Sequence, residues 1–274
     1  MIAIGGTALA LNADPGIPEG ARRLIWEEFF RSRDRGVDWS THLPWAIVGE
    51  AICVSVTDSS VTAETGARVA ALVIRRLHDT PAAMAGFVCV APSHRGLGLS
   101  RIMLDFAASI LAEFGLKEML LWTGTPAVYK SSGFTLCEQE QRWTMRGMAA
   151  QGDYGLQLDA WPSASTEPPP GLPPFATAAW QATSDKARIV FADTPKGSFL
   201  LDMHGGPDAI TRAMFTARPG QWTMFASERR QPVFHAHVVA SGYLVESCPG
   251  PCTLRRPLGT VLMQTDYVPP AFRI

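Results

Sequence analysis

The residues best suited to chemistry form a short loop, Ala91-Pro-Ser-His-Arg-Gly-Leu-Gly98, which leads into Leu99-Ser100. It follows an apolar run and precedes a helix-period stripe. A glycine turn at that junction is an anion site, because the first helical N–H groups lack intrahelical partners and the helix dipole adds partial positive charge there. Gly96 and Gly98 let a phosphate approach the backbone, and Arg95 adds a fixed cation. The loop is not a GxxxxGK[ST] phosphate loop. Nor is it a GxGxxG turn, since Gly96-Leu-Gly98 is followed by Ser100 and Arg101 with no third glycine. The other ligand-like groups are weaker. Cys248-Pro-Gly-Pro-Cys252 has no second cysteine pair at zinc spacing, and the side chains of His235 and His237 on a helix do not face one direction. We expect a structural loop with free thiols at 248–252 and no metal.

The elements around the loop are legible from their periods. Arg22 to Arg33 places Ile25, Trp26, Phe29 and Phe30 at helical spacing. Residues 51–57, 68–77 and 84–90 are predicted strands. Leu99, Ile102, Met103, Phe106, Ile110 and Phe114 form the stripe of a helix that Gly115 ends. Glu118–Thr123 is a predicted buried strand, a short helix runs from Pro126 to Gly133, and strands follow near 134–136 and 141–146. Strand, glycine loop, helix and strand make a βαβ unit, whose two strands are parallel. The N-terminal MIAIGGTALALNA is expected to be an edge strand rather than a signal segment, for it lacks a basic start and contains Gly5-Gly6.

With those elements in place, Arg95-Gly-Leu-Gly98-Leu-Ser100 resembles the R/Q-x-x-G-x-G/A loop of the GNAT superfamily of acyl-CoA-dependent N-acyltransferases. Gly86-Phe-Val-Cys-Val90 is similar to the family's fourth strand, and Ala127-Val-Tyr-Lys-Ser-Ser-Gly-Phe134 to its tyrosine-containing segment. The resemblance implies a mixed α/β (α+β) sheet over residues 1–150 and acetyl-CoA as co-substrate. It implies that strand residues Val88, Cys89 and Val90 meet the pantetheine arm, Val88 and Val90 through their backbone. Residues Arg95, Gly96, Leu97, Gly98, Leu99 and Ser100 are expected to hold the pyrophosphate by their amides. Tyr129 is expected to protonate the leaving thiolate, a task that suits a phenol whose pKa of about 10 keeps it neutral at pH 7. The resemblance leaves the base unassigned: strand 84–90 has no carboxylate, and Glu50, Glu64, His78 and Asp79 are only available. Two readings of Tyr129 stand side by side, a catalytic acid and a core aromatic beside Phe134. Trp39, His42 and Trp45 are either an aromatic substrate wall or loop packing. His94 and the Arg75-Arg76 pair are expected to be solvated.

Six prolines within Trp161–Pro174 mark a stiff linker, which divides a domain at 1–160 from a smaller α/β domain at 175–274. In the second part, strands at 187–193, 197–203, 222–226 and 260–267 alternate with helices at 207–217 and within 229–241. This order repeats that of 84–146. Leu121-Trp-Thr123 is echoed by Gln221-Trp-Thr223, and Ser131-Ser-Gly-Phe134 by Ala240-Ser-Gly-Tyr243. In that register Val238 stands for Tyr129 and His204-Gly-Gly-Pro207 for Arg95-Gly-Leu-Gly98, so the second part is either a degenerate GNAT-like copy without acyl-CoA chemistry or an unrelated α/β domain.

Composition bounds the rest. The chain has 274 residues, 47% apolar, with 24 Lys+Arg against 25 Asp+Glu. That excludes a disordered chain and argues against a nucleic-acid partner, since basic residues are neither in excess nor clustered. No apolar run reaches membrane-spanning length, and the scattered, odd-numbered cysteines suit the cytoplasm. The expected function is transfer of an acetyl group from acetyl-CoA to a small-molecule primary amine in one ternary complex. The alternative is an acetyl-CoA sensor or accessory protein with weak or no catalysis.

Overall fold

The computed structural model describes residues 2–4, 7–31, 38–47, 51–60, 67–77, 80–148, 155–161, 171–227, 229 and 231–259. Glu50, Glu64, His78, Asp79, most of the proline-rich segment and the predicted strand 260–267 lie outside the described residues.

The first half runs β1 (Ile2–Ile4), β2 (Thr7–Pro15), α1 (Glu19–Ile25), a π-helical turn (Trp26–Phe30), α2 (Trp39–His42), α3 (Pro44–Ile47), β3 (Ala51–Asp58), β4 (Arg68–Arg76) and β5 (Ala82–Val90). Then come α4 (Leu99–Glu113), β6 (Glu118–Thr123), a 3-10 helix (Pro126–Ser132) and β7 (Thr135–Gly147). The second half holds β8 (Gln157–Ala160), β9 (Ala178–Thr183), β10 (Ala187–Thr194), β11 (Gly197–Gly205), α5 (Pro207–Ala217), β12 (Gly220–Ala226), α6 (Pro232–Ala240) and β13 (Leu244–Pro257).

The chain divides into two compact units. Among the described residues, the first comprises those up to Cys137 together with 252–259, the second those from Glu138 to Pro251. These bounds differ from the linker at 161–174: each unit takes in strand residues from the other side of that segment.

In the first unit, strands run in the order β1-β2-β3-β4-β5-β6, followed by the Cys252–Pro257 end of β13. All neighbours are antiparallel except β5 and β6, which the helix crossover makes parallel. The central strands are buried almost throughout, with side chains divided between two covered faces. Val54, Leu72 and Ile74 pack with Met103, Leu104, Ala107 and Leu111 of α4. Their neighbours Cys53, Ala71 and Val73 pack with Ala21, Ile25 and Trp45 on the other face. A sheet covered on both faces accounts for the near-continuous apolar runs in β4 and β5. α4 ends as expected at Gly115 (φ 76°), with Leu116 N–H donating to Leu111 O at 3.0 Å and Gly115 N–H to Ala112 O at 2.9 Å, a Schellman closure. The N-terminus forms a hairpin, with Ile2–Ile4 on Thr7–Leu9, rather than one strand.

The last strand of this unit is held by charge. Arg255 Nε lies 2.7 Å from Glu118 Oε2, whose side chain is 2% exposed, and Arg256 Nη1 donates to Asp105 Oδ1 of α4 at 2.8 Å.

In the second unit the order is the first part of β13, then β7-β12-β11-β10-β9-β8. Here β11 and β12 are the parallel pair, and α5 crosses between them. Ile210, Ala213, Met214 and Phe215 of α5 pack on Ile189, Phe191, Leu200, Trp222 and Trp143. Two expectations change. The strands near 134–136 and 141–146 are one strand, β7. Cys248-Pro-Gly-Pro-Cys252 is not a loop but the middle of β13. Prolines 249 and 251 are two apart, so their missing donors fall on one edge, where a ladder tolerates them. Between them, a Cβ on Gly250 would meet Glu140 O at 3.0 Å, a backbone approach that only glycine allows without displacement.

Candidate functional site

The site is built on a local defect in β5. Against β4, Ala71 pairs with Cys89 but Val73 pairs with Gly86, so β5 holds one extra residue at Phe87–Val88. Phe87 has φ 49°, and it is the one non-glycine residue with positive φ among the described residues. Such a conformation is costly for an aromatic residue and persists where the surroundings impose it. The surroundings here are Phe29 and Phe30, which meet the Phe87 ring edge-on at 5.6 and 5.8 Å.

Beyond the bulge the sheet opens. β5 pairs with β6 only from Ala82 to Ala85. Ala91 N–H donates to Val69 O at 2.8 Å, so by strand alternation the backbone groups of Cys89 face β4 and those of Val88 and Val90 face the open edge. The result is a strand edge whose outward backbone groups have no strand partner, ending in the glycine loop.

At that end, Gly96 (φ 81°) and Gly98 (φ 73°) are both left-handed, and a Cβ on either would meet nothing within 4 Å. The glycines therefore serve backbone conformation and an open approach, not packing. Gly98 O accepts from Ile102 N–H at 3.1 Å, the first bond of α4, which leaves the N–H groups of Leu99, Ser100 and Arg101 without intrahelical acceptors. These amides, the splayed edge and the free space fit an extended ligand that ends in a pyrophosphate.

The side chains in this region are less open than the sequence suggests. Arg95 is 58% exposed yet engaged twice: Nε donates to Val90 O at 3.1 Å and Nη2 to Glu28 Oε2 at 2.6 Å. His94 is not solvent-facing, for Nε2 lies 3.1 Å from Asp58 Oδ2 and Nδ1 2.9 Å from Ser93 Oγ. The Ser60 hydroxyl and amide, followed by His94, hold the Asp58 carboxyl below the usual carboxylate range. The loop is thereby tied to β3.

Tyr129 lies half-buried on the 3-10 helix, its ring edge-on to Phe134 at 6.1 Å and packed against the same buried cluster as Val88 and Val90. Burial, with a smaller contribution from Cys89, pushes its phenol up. Tyr129 thus stays protonated at neutral pH, the state a proton donor requires. Burial, followed by Glu28, pushes the Cys89 thiol up to about 12, so this cysteine is no nucleophile at neutral pH.

The three residues weighed as an aromatic wall separate. Trp45 and His42 are buried, and the Arg75 guanidinium lies over the Trp45 ring at 5.1 Å. Arg75 is therefore core, not a solvated strand end. Trp39 packs edge-on to Phe30 and, with Trp26, Glu19, Arg22 and Arg23, lines a cleft of about 330 Å³. Sequence reasoning missed Glu28, which stands 67 residues from Arg95 on a helix read for its apolar face.

The second unit repeats this plan. β11 has a bulge against β10, where Val190 pairs with Asp202 but Phe191 with Leu200, and β11 leaves β12 after Leu200. The helix closures match residue for residue. Gly133 N–H donates to Lys130 O and Phe134 N–H to Tyr129 O; Gly242 N–H donates to Val239 O and Tyr243 N–H to Val238 O. Val238, fully buried, thus stands at the Tyr129 position. At the head of α5, Pro207 removes one amide donor, and Asp208, 2.7 Å from Arg212, places a carboxylate in the first turn. A cavity of about 400 Å³ beside it is lined by Asp185, Lys186, Asp208 and Arg212 among others. Among the described residues no group of three or more His, Cys, Asp or Glu could hold a metal, and no helix is long and apolar enough to cross a membrane.

Comparison with known proteins agrees with this geometry. Residues 19–134 match the model of the acetyltransferase (GNAT) family. No curated protein matches the sequence significantly. Similar solved structures include a GCN5-related N-acetyltransferase from Kribbella flavida (14% identity, 91% of this chain, 72% of that one, TM-score 0.60). A tandem GNAT protein from the clavulanic acid biosynthesis pathway is 12% identical over 92% of this chain and 100% of that one, with a TM-score of 0.57. A GCN5-related N-acetyltransferase from Anabaena variabilis is 14% identical over 91% of this chain and 73% of that one, with a TM-score of 0.56. Residues 19–134 thus match the acetyltransferase (GNAT) family model, and the chain has the mixed α/β fold of GNAT structures, a tandem GNAT protein among them.

Proposed function

We propose that the first unit transfers an acetyl group from acetyl-CoA to a primary amine of a small molecule. The observation that carries this reading is the bulged, splayed β5 that runs into the Gly96/Gly98 cradle and the head of α4. The backbone of Val88 and Val90 takes the pantetheine arm, with Cys89 between them facing β4. The amides from Arg95 through Gly96, Leu97, Gly98 and Leu99 to Ser100 take the pyrophosphate.

In the mechanism, a strand amide at or beside Val88 polarises the thioester carbonyl. Tyr129 gives its proton to the departing sulfur as the amine nitrogen bonds to the carbonyl carbon. The buried, protonated Cys89 supports direct transfer without a covalent enzyme intermediate. The second unit, with Val238 for the phenol and Pro207-Asp208 at the helix head, is a structural partner in this reading and does no acyl-CoA chemistry.

Titration of acetyl-CoA by calorimetry, followed by detection of released thiol over a panel of primary amines, tests the proposal. Binding with amine-dependent thiol release is expected. Binding without release from any amine supports the sensor reading instead, and absence of binding refutes both.

A further inference from the structure

We propose that the Arg95–Glu28 ion pair is a clasp over the open edge of β5, and that the carboxylate it releases, Glu28, accepts the proton of the attacking amine. This inference rests on the N-acyltransferase reading above.

The clasp follows from two contacts of one guanidinium. Arg95 Nε occupies Val90 O, a backbone group that faces the open edge, while Nη2 holds Glu28 at 2.6 Å. A ligand that bonds along this edge must displace Nε from Val90. Moving the guanidinium also uncovers Glu28, because both contacts belong to one rigid plane. A pyrophosphate at the neighbouring loop offers the displaced arginine a new anionic partner. Occupation of the strand edge and exposure of the carboxylate are therefore coupled, and acyl-CoA binds before the amine.

The placement of Glu28 fits proton acceptance. Its carboxylate is held by Arg95 Nη2 at 2.6 Å while Nε of the same guanidinium bonds Val90 O, which sets it beside the open edge of β5. Glu28 and Tyr129 each interact electrostatically with Cys89, which puts acid and base about one residue of β5. Among the described residues, the charged and titratable groups that interact with Glu28 include Arg95 from the loop and Cys89 from β5. On its own helix, Glu27 is engaged with Arg31 at 2.6 Å. The protons balance. The N–C bond forms and the C–S bond breaks, Tyr129 donates a proton to sulfur, and the proton lost by nitrogen goes to Glu28. Both groups then exchange with solvent, and no oxidant or reductant takes part.

Glu28→Gln tests both halves, since the amide keeps one acceptor for Arg95 but takes no proton. CoA alone is titrated by calorimetry, and transfer is followed across pH with the best amine of the acceptor panel. The expected result is CoA affinity equal to or up to about tenfold above that of the unsubstituted protein, with transfer down about 10²–10⁴-fold. The residual rate should climb about tenfold per pH unit toward the amine's own pKa, and Glu28→Asp should recover part of it. At saturating amine, kcat of the unsubstituted protein should fall on the acid side as the carboxylate takes a proton. Loss of that fall in Glu28→Gln is the signature that a merely structural role would not give. CoA binding weakened tenfold, with an unchanged melting temperature, overturns the clasp. Transfer by Glu28→Gln within twofold of the unsubstituted protein overturns proton acceptance, while CoA binding stands. Absence of CoA binding by the unsubstituted protein overturns the acyltransferase reading itself, and this inference with it.

Discussion

Gly98 is the position where backbone conformation and ligand space can be separated by substitution. Its φ of 73° costs an L-residue about 1–2 kcal/mol. A Cβ there meets nothing within 4 Å, so no clash adds to this cost. Gly98→Ala should therefore lower stability by about 1–2 kcal/mol, which in a unit of this size lowers Tm by about 2–8 °C. Asparagine tolerates the left-handed region better, so Gly98→Asn should melt closer to the unsubstituted protein. Gly98→Asp should fold comparably but set a carboxylate against the pyrophosphate. Charge-assisted hydrogen bonds contribute about 1.5–3 kcal/mol each. Loss of two of them weakens CoA binding by a hundredfold or more. Thermal denaturation and calorimetric titration of CoA on the three variants check both magnitudes. CoA affinity unchanged in Gly98→Asp would falsify the backbone cradle, whatever happens to Tm.

Three further outcomes are expected. Tyr129→Phe should cut transfer about 10²–10⁴-fold while CoA affinity, read by calorimetry, stays within twofold; full activity would return Tyr129 to a packing role beside Phe134. Arg255→Met should leave the buried Glu118 carboxylate without its ion pair and cost about 3–5 kcal/mol in chemical denaturation. An unchanged midpoint there would show that this contact does not secure the last strand. Gly205→Ala should be among the most damaging glycine substitutions. It combines φ 127° with a Cβ 2.4 Å from Lys186 O, and soluble yield or denaturation midpoint should fall clearly below that of Gly206→Ala, where nothing lies within 4 Å.

The site was legible in sequence where it is local. The loop, the left-handed glycines and the crossover helix are short-range features, and the helix head follows from hydrogen-bond accounting over adjacent residues. Phe87 gave no such signal, because a bulge depends on how β4 pairs with β5 and not on residue type. His94 and Arg75 were expected in solvent by their charge; Asp58 and the Trp45 ring, distant in sequence, draw them in. The strand through Cys248-Pro-Gly-Pro-Cys252 was hidden because proline and glycine ordinarily signal a turn. Only the packing of Gly250 against the backbone at Glu140 shows why an extended chain is kept.

By itself, the sequence determined a GNAT-like βαβ unit with a glycine cradle at the head of α4 and the tyrosine that follows it, and it left the second part open between an altered copy of the same order and an unrelated α/β domain. Those are written in local periods and short motifs, which hydrophobic patterning and turn chemistry dictate. Tertiary structure alone decided which strands close each unit. The end of β13 pairs with β6 in the first, and β7 pairs with β12 in the second. Strands of like pattern are interchangeable to a local reading, and long-range ladders and the ion pairs of Arg255 and Arg256 select among them. The same reason holds for Glu28. Its contact with Arg95 spans 67 residues, and only the fold brings that carboxylate to the open edge of the strand.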